Sequence, residues 1–224
     1  MMIRFPFLER FGVTAVMSDI SDGDCCSRVA AESFTNSAIQ ASHRSLRLVH
    51  QVHGVDIVDS TECAGNVEAD GIIAGDAGVV LGIRVADCVP ILIYDPVRNV
   101  GALVHAGRKG TQKRIAGAAI SALLDRYDSR ATDLIALIGP SAGPCCYEVG
   151  VDVLEEFVRE GGVSHGTHLD LWESNRDQLT NSGVLTQNIQ LSATCTICSD
   201  TFYSYRRTGT SSRNLVILAN SPDI

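Results

Sequence analysis

Apolar residues occur along the chain in short runs, and polar stretches rich in glycine and aspartate separate them. The most apolar run covers residues 79–94, VVLGIRVADCVPILIY. Because proline cannot donate to a β-ladder, Pro90 predicts either two strands or one strand interrupted by a bulge, with Cys88 at the interruption. The stretch 46–58 predicts a strand pair or one strand that bends at Gly54. Shorter apolar runs predict strands over 13–17, 100–104, 134–138, 189–191 and 215–218.

Helical spacing of apolar residues alternates with these strands. It predicts helices over 30–44, with an apolar row that includes Ala41, over 111–127, over 152–160 and within 169–183. Polar and glycine-rich segments predict turns or loops over 18–27, 61–66, 139–150 and 164–168. The chain shows no internal repeat and no linker. The pattern therefore predicts one α/β or α+β domain over residues 1–224.

The composition narrows the class of protein. The chain has 224 residues, of which 45% are hydrophobic and 20% charged, so it can bury a sizeable core. Its net charge of -8 and the lack of a Lys/Arg run argue against a nucleic-acid partner. No apolar run approaches the roughly 18 residues that a membrane span needs. Eight cysteines without a recognisable secretion signal are expected as free thiols in a reducing cytoplasm.

Three residues are candidate metal ligands. His53, Cys88 and His105 each stand where an apolar segment meets a break marked by glycine or proline. Histidine nitrogen and cysteine sulfur are zinc ligands, and a catalytic zinc site uses three protein ligands and one open position. The alternative is a buried thiol and two histidines satisfied by backbone hydrogen bonds. The spacing is long and irregular, so on the pattern alone this structural alternative is favoured.

Four further cysteines form two close pairs. Cys195 and Cys198 form a CxxC, which is incomplete as a structural zinc site without a second pair. We interpret it as two small buried residues near a turn. Cys145 and Cys146 lie in a loop, and we interpret them as loop packing, with reactivity as the alternative.

Basic residues suggest an anion site. Arg108 and Lys109 stand just before the helix predicted over 111–127, whose free N–H groups also favour anions. Arg206 and Arg207 follow an aromatic pair, and arginine can bind phosphate through two nitrogens. The alternative for each is a solvated basic turn. Neither a P-loop nor a Rossmann glycine motif is present, so these classes of nucleotide site are not expected.

Seven ordered motifs carry a family resemblance. They are QVHG (51–54), EADG (68–71), ADCVPILIYDP (86–96), VGALVHAGRKG (100–110), IGPSAGPCCYEVG (138–150), DLWESNRDQL (170–179) and the CTIC and FYSYRR segments near the end. Together they resemble the multicopper polyphenol oxidase, or laccase-domain, family, also called YfiH-like. This family includes bacterial purine nucleoside phosphorylases. The resemblance covers the chain from about residue 46 to its end.

The resemblance implies a fold and a metal. The fold is an α/β domain with a mixed sheet flanked by helices, a fold also assigned to YfiH-like cysteine hydrolases. The implied ligands of a zinc ion are His53 of QVHG, Cys88 of ADC and His105 of HAG, which reverses the preference reached from the pattern alone. Copper is the alternative metal from older descriptions of the family.

The resemblance also implies an activity. Family members phosphorolyse adenosine, inosine, guanosine and methylthioadenosine, and they deaminate adenosine. The partners expected here are a purine nucleoside and phosphate, in a monomer or weak homo-oligomer. Arg108, Lys109 and Arg206 are candidates to neutralise phosphate, and Asp87 is a candidate carboxylate that orients a ligand or moves a proton.

Two departures from the family pattern affect these expectations. The family usually reads HAGWRG, whereas this chain has Arg108 and Lys109 in place of the aromatic residue and the arginine. Lysine keeps the charge but loses the bidentate geometry. The N-terminal GGVS motif is also missing, and residues 17–26, MSDISDGDCC, stand in its place.

Three other functions compete with a zinc phosphorylase. A copper phenol oxidase needs many histidines, and this chain has only six. A cysteine hydrolase, for example one that edits peptidoglycan precursors, would use Cys88 as nucleophile and His105 as base. A regulatory binding protein whose site has drifted would account for the altered HAGRKG segment.

Overall fold

Two β-sheets pack face to face, and helices cover their outer faces. The computed structural model describes residues 2–39, 44–63 and 67–220. The first sheet contains, in spatial order, β1 (Ile3–Arg4), β2 (Thr14–Met17), β13 (Asn214–Ala219), β6 (Val79–Val85) and β3 (Ser45–Arg47). The second contains β12 (Ile189–Leu191), β9 (Ile135–Ile138), β7 (Val89–Asp95), β8 (Val100–Ala106), β5 (Gly71–Ala74) and β4 (Ile57–Asp59). A separate hairpin joins β10 (Val163–His165) to β11 (His168–Asp170).

Both sheets are mixed. The pairs β3–β6, β4–β5 and β12–β9 are parallel, and the other neighbours in the two sheets are antiparallel. The helices are α1 (Pro6–Glu9), α2 (Arg28–Ile39), α3 (Arg108–Gln112), α4 (Ile115–Tyr127), α5 (Val151–Arg159), α6 (Leu171–Asn181) and α7 (Tyr205–Thr208). Among the described residues, none of these helices combines the length and the apolar character needed to cross a membrane.

The alternation of side chains along β8 explains the layers. Ala102 and Val104 point to the core that contains Ile120 of α4, whereas Leu103 points to the core between the two sheets. Side chains two apart in a strand share a face, so His105 lies on the same face as Leu103. The first sheet packs its other face against α2. The histidine is therefore carried by a buried strand towards the space between the sheets.

Most predicted strands are present, the predicted interruption at Cys88 is confirmed, and the prediction over residues 46–58 is largely wrong. The interruption in residues 79–94 covers residues 86–88, and Pro90 is the second residue of β7. A proline is tolerated there because the ladder with β9 begins only at Ile91. The prediction of a strand or strand pair over 46–58 is wrong for most of its length, since residues 48–56 form a loop between β3 and β4.

The helix predicted over 111–127 is two helices. Arg114 has a φ of 66°, and this left-handed residue separates α3 from α4. The sequence predicted Arg108 and Lys109 just before the helix. Helix α3 begins at Arg108, so both residues lie in its first turn. The strand predicted over 100–104 extends to Ala106 and thus contains His105.

Three smaller predictions also meet the structure. The loop predicted over 164–168 is wrong at both ends, which belong to the β10–β11 hairpin. The helix predicted over 30–44 is observed as α2, which runs from Arg28 to Ile39, and Ala41 lies outside the described residues. In the loop predicted over 61–66, Ser60–Glu62 form one short 3₁₀ turn, and residues 64–66 lie outside the described part.

Candidate metal centre

His53, Cys88 and His105 lie together, and we call them the His–Cys–His cluster. One ligand atom from each residue lies within 4.8 Å of the others. The Cys88 Sγ is 3.9 Å from the His53 Nε2, and the centroids of the two imidazole rings are 4.9 Å apart. His105 comes from β8, Cys88 from the turn between β6 and β7, and His53 from the loop between β3 and β4. Three separate segments therefore converge on one point.

Asp70 joins two of these segments. Its Oδ1 is 2.7 Å from the His105 Nδ1 and accepts the His53 N–H at 3.0 Å. Its Oδ2 accepts the N–H groups of Val52 and Gly54. The backbone N–H of His105 in turn donates to the Asp70 carbonyl oxygen at 2.7 Å. One carboxylate thus holds both the histidine strand and the histidine loop.

The burial of Asp70 and His105 makes this contact strong. Asp70 is fully buried, and His105 is only 3% exposed. Burial by itself raises the pKa of Asp70, but hydrogen bonds from His105, Gly54 and His53 lower it below its usual value. Because Asp70 is hydrogen-bonded to the Nδ1 of His105, the Nε2 of that ring is available as a metal ligand. Carboxylates outside the ligand set commonly orient metal-binding histidines in this way.

The backbone around the cluster adopts uncommon conformations. His53, a member of the cluster, and Asp87, which precedes Cys88, have φ values of 60° and 85°. Non-glycine residues in this region concentrate at functional sites, where the surrounding structure must hold them. At Gly107 the reason for glycine is space, because a Cβ there would lie 2.9 Å from the Cys88 Sγ and 3.0 Å from the His53 Cδ2. The glycine lets the chain pass directly against two members of the cluster.

Cys88 and His105 favour their charged forms in the absence of a metal. Burial raises the pKa of Cys88, but the His105 imidazolium and hydrogen bonds from His105 and His53 lower it to about 6. Burial lowers the pKa of His105, whereas the Cys88 thiolate and Asp70 raise it to about 9. The thiolate is the form that binds metals and attacks carbonyl groups.

The donor atoms suit a zinc ion. Two imidazole nitrogens and one thiolate sulfur are ligands that zinc accepts, and three protein ligands leave one position open for reactants. A cavity of about 460 Å³ lies over the cluster. Its lining consists of the three cluster residues with Cys26, Val49, His50, Gln51, Arg84, Ala86, Tyr205 and Arg213. Sites for small ligands are typically of this size.

Two of the three predicted cations lie beside the cluster. Arg108 and Arg206 line a smaller cavity of about 100 Å³ that also touches Cys88 and Tyr147. The Arg206 guanidinium lies 4.6 Å from the centre of the Tyr147 ring, and its Nη1 donates to the Glu148 carbonyl oxygen. Lys109, by contrast, is exposed, and among the described residues it lines neither this cavity nor the larger one. The structure therefore separates Lys109 from the other two.

Asp87 has a positioning geometry. It is 7% exposed, and its two oxygens accept hydrogen bonds from the Thr196 hydroxyl at 2.6 Å and from the Arg206 N–H at 2.7 Å. These contacts connect the turn that carries Cys88 to the start of α7, which carries Arg206. Through these contacts Asp87 can orient the Cys88 turn relative to Arg206. Proton transfer by Asp87 stays a prediction.

Sequence reasoning missed Asp70 and two residues of the cavity wall. Asp70 was visible only as part of EADG before a buried strand, and the expectation that a metal-binding histidine has a carboxylate partner would have singled it out. Gln51 holds the wall of the cavity, because its amide both donates to and accepts from the backbone of Arg84. Tyr205, at 59% exposure, offers an aromatic ring to the cavity.

Sequence comparison identifies related proteins. A family described as multi-copper polyphenol oxidoreductase laccase matches residues 18–219. The purine nucleoside phosphorylase YlmD of Geobacillus stearothermophilus is 38% identical over 192 residues, which cover 75% of this chain and 69% of that protein. A purine nucleoside phosphorylase of Bacteroides thetaiotaomicron is 34% identical over 158 residues, or 66% of this chain and 58% of that protein.

A third relative has a different name. The adenosine deaminase RL5 of an unknown prokaryotic organism is 35% identical over 154 residues, which cover 64% of this chain and 58% of that protein. The chain thus spans between 58% and 69% of the length of these three relatives.

Solved structures share the fold. The crystal structure of YlmD from Geobacillus stearothermophilus superimposes with a TM-score of 0.82 at 28% identity, over 94% of this chain and 93% of that one. The YfiH protein of Bacillus licheniformis gives a TM-score of 0.81 at 25% identity, with the same coverage. These neighbours confirm the predicted class, an α/β domain with mixed sheets flanked by helices.

Proposed function

The chain belongs to the multi-copper polyphenol oxidoreductase laccase family, and from this premise we propose that it is a zinc-dependent purine nucleoside phosphorylase that also deaminates adenosine. The observation that carries the proposal is the His–Cys–His cluster on the wall of a cavity, with two arginines beside it. Two of the relatives are named purine nucleoside phosphorylases and a third is named an adenosine deaminase, which supports both activities.

His53, Cys88 and His105 would hold the zinc ion, with one coordination position facing the cavity. Bound there, zinc would act as a Lewis acid and bring the pKa of a water molecule towards neutrality, as deamination requires. Asp70 keeps a proton on the Nδ1 of His105 and leaves the Nε2 of that ring free to coordinate. The three backbone N–H groups on Asp70 keep the His53 loop in place.

Arg108 and Arg206 would bind the phosphate. In phosphorolysis, a phosphate oxygen attacks C1′ of the ribose while the bond from C1′ to the base breaks, and the base leaves with the bonding electrons and takes up a proton. A guanidinium can hold phosphate through two parallel hydrogen bonds. The contact of Arg206 with Tyr147 and Glu148 fixes its direction before the anion arrives. The products are the free base and ribose 1-phosphate.

The larger cavity would accept the nucleoside. Tyr205 offers a ring face for stacking against a base. The amide of Gln51 is occupied by the Arg84 backbone, so it shapes the wall and leaves recognition to neighbouring groups. The departure from HAGWRG leaves Arg108 beside the cluster and Lys109 outside it, so this chain supplies its charge from Arg108.

Turnover of purine nucleosides tests the proposal directly. Protein with zinc and phosphate should convert inosine to hypoxanthine and ribose 1-phosphate, and it should convert adenosine to inosine without phosphate. Cys88→Ala should abolish both reactions, whereas Cys63→Ser, which changes a half-buried thiol outside the His–Cys–His cluster, should keep them. No turnover of any purine nucleoside with metal and phosphate present would refute the proposal.

One observation favours a second candidate, a cysteine hydrolase. Cys88, His105 and Asp70 form a chain of thiol, imidazole and carboxylate like the nucleophile, base and orienting group of acyl-transfer enzymes. Removal of the metal distinguishes the two. A zinc enzyme loses activity in chelator and regains it with zinc, whereas a thiol nucleophile keeps its activity.

Copper is the alternative metal. Two imidazoles and a thiolate also suit copper, which the family description names. Elemental analysis of protein expressed without added copper decides between them: stoichiometric copper together with phenol oxidation would favour the oxidase.

A further inference from the structure

A second sulfur-rich cluster lies outside the His–Cys–His cluster. Cys145 and Cys146 follow β9, and Cys195 and Cys198 follow β12, about 50 residues further along the chain. The four Sγ atoms all lie within 4.8 Å of one another. We call these residues the four-cysteine cluster. It uses none of the residues assigned to the proposed reaction.

The sulfur distances fit a shared ion better than a disulfide. The Cys198 Sγ is 3.1 Å from the Cys146 Sγ and 3.5 Å from the Cys145 Sγ. A disulfide needs about 2.05 Å between the two sulfurs. Four thiolates at about 2.3 Å from a tetrahedral zinc ion lie about 3.8 Å from each other. The thiols therefore need only a small rearrangement to surround zinc.

The backbone holds the two cysteine pairs in place. The Thr196 N–H donates to the Ser141 carbonyl oxygen, and the Ser141 N–H donates to the Thr194 carbonyl oxygen. These bonds set the two loops side by side. The Cys195 Sγ accepts the Gly143 N–H at 3.3 Å, a bond that favours the thiolate. The cluster thus rests on an ordered backbone and not on chance contacts between flexible chains.

The close approach at Gly143 adds a second constraint. A Cβ there would lie 2.5 Å from the Trp172 Cη2 and 3.2 Å from the Cys195 Cβ. The Trp172 indole N–H is itself bound to the Ser141 hydroxyl at 2.7 Å. Helix α6 therefore supports the loop that carries Cys145 and Cys146.

We propose that Cys145, Cys146, Cys195 and Cys198 bind one structural zinc ion. Four thiolates fill a tetrahedral coordination shell, so this ion would have no open position for a reactant, unlike an ion in the His–Cys–His cluster. Two of the thiols, Cys145 and Cys198, are exposed, which gives the ion a route of entry from solvent.

The ion would join the loop that contacts Arg206 to the loop that contacts its neighbour Arg207. Cys146 directly precedes Tyr147 and Glu148, which contact the Arg206 side chain. Cys198 lies in the segment whose carbonyl groups accept hydrogen bonds from Arg207, at Thr196 and Ser199. Zinc in the four-cysteine cluster would therefore stabilise the side of the cavity that carries the phosphate-binding arginine.

The structure also corrects the interpretation of these thiols. Cys195 and Cys198 were predicted as two small buried residues, but Cys198 is exposed. The CxxC is incomplete by itself, and the pair that completes it, Cys145 and Cys146, comes from a separate loop for which the sequence predicts packing.

Metal titration in the Cys88→Ala variant tests the proposal, because that variant lacks the thiolate of the His–Cys–His cluster. The reduced, metal-free variant should bind one equivalent of zinc. With cobalt(II) it should show the strong thiolate-to-metal charge transfer that several sulfur ligands produce. Adding Cys198→Ser should remove the stoichiometric zinc and most of the charge-transfer band, and adding Cys63→Ser instead should change neither.

A second variant and a measurement of zinc content check the result of this titration. Cys145→Ser, at an exposed position, serves as a second variant if Cys198→Ser does not fold, and thermal melting of the metal-free protein checks folding in each case. Wild-type protein isolated under reducing conditions should contain two zinc ions per chain, and the Cys88→Ala variant should contain one. Failure of the reduced, folded Cys88→Ala variant to bind stoichiometric zinc or cobalt would overturn the proposal, whether or not the chain turns over nucleosides.

Discussion

The His–Cys–His cluster and the four-cysteine cluster differ in what surrounds them. The first has a buried histidine on a central strand, a fully buried carboxylate behind that histidine and a cavity in front. The second connects two loops, has two exposed thiols and accepts the Gly143 N–H at one of its sulfurs. A site for chemistry needs an oriented, incomplete ligand set, whereas a site for stability needs a complete one. The comparison therefore distinguishes the His–Cys–His cluster, a proposed reaction centre, from the four-cysteine cluster, a proposed structural zinc site.

His105→Ala should have the largest effect. It removes a ligand and leaves the buried Asp70 carboxylate without its imidazole partner, so we expect turnover to fall by at least about 10³-fold and the free energy of unfolding to fall by roughly 3 kcal/mol. Turnover, zinc content and urea denaturation check this. The four-cysteine cluster should keep its zinc.

The matched control for His105→Ala is His165→Ala. His165 also contacts an aspartate, Asp170, at 3.1 Å, but its side chain is 64% exposed. An exposed pair contributes at most about 1 kcal/mol, so activity and zinc content should stay near those of the wild type. Equal losses in both variants would contradict the special role of the buried pair.

Asp70→Asn should weaken zinc binding at the His–Cys–His cluster and leave the four-cysteine cluster unchanged. The asparagine keeps the size of the side chain but loses the charge that orients His105 and accepts three backbone N–H groups. We expect zinc affinity at the His–Cys–His cluster to fall about 10- to 100-fold. Competition with a zinc chelator measures it, with the Cys198→Ser background used to remove the second ion. An unchanged affinity would show that Asp70 only supports the fold.

Arg206→Ala should act on phosphate. Loss of the guanidinium removes a bidentate anion contact, so the KM for phosphate in inosine phosphorolysis should rise about 10-fold or more, and adenosine deamination should change much less. Lys109→Ala is the control, because Lys109 is exposed and lines neither cavity beside the cluster. If Lys109→Ala raised the KM for phosphate as much as Arg206→Ala, the assignment of the phosphate site would be wrong.

Cys198→Ser should have the smallest effect on the reaction and a clear effect on stability. Loss of an ion that binds only the folded chain removes several kcal/mol of stabilisation, which corresponds to a fall in Tm of roughly 10 °C for a chain of this size. Turnover measured well below the Tm should fall only a few-fold, through looser placement of Arg206. A Tm equal to that of the wild type, with zinc present, would contradict a stabilising zinc ion in the four-cysteine cluster.

Much of the fold could be predicted because it depends on local patterns. Alternation and apolar runs placed β7, β8, β9 and β13 near their observed positions, since their side chains contact cores on both faces of the sheets. The breaks were harder. The left-handed turn at Arg114 and the loop 48–56 have no local signal that outweighs the apolar residues around them.

The candidate site was predictable only in part. The positions of His53, Cys88 and His105 at strand breaks made them candidates, and the resemblance of their motifs to a family favoured a metal site; the matching family confirms that resemblance. Asp70 was missed because its contacts with His53 and His105 span 17 and 35 residues. The separation of Lys109 from Arg108 was missed because both were expected before the helix, whereas both lie within it, where Arg108 lines a cavity and Lys109 is exposed.

By itself, the sequence predicted the class of fold, the family and candidate residues for binding metal or phosphate. These follow from composition, from periodicity and from short motifs, all of which are local. Only the tertiary structure decided that a buried carboxylate supports one histidine and that two cysteine pairs, far apart in the chain, meet. Such contacts depend on how β-strands and loops pack across the two sheets, and no spacing along the chain specifies that distance.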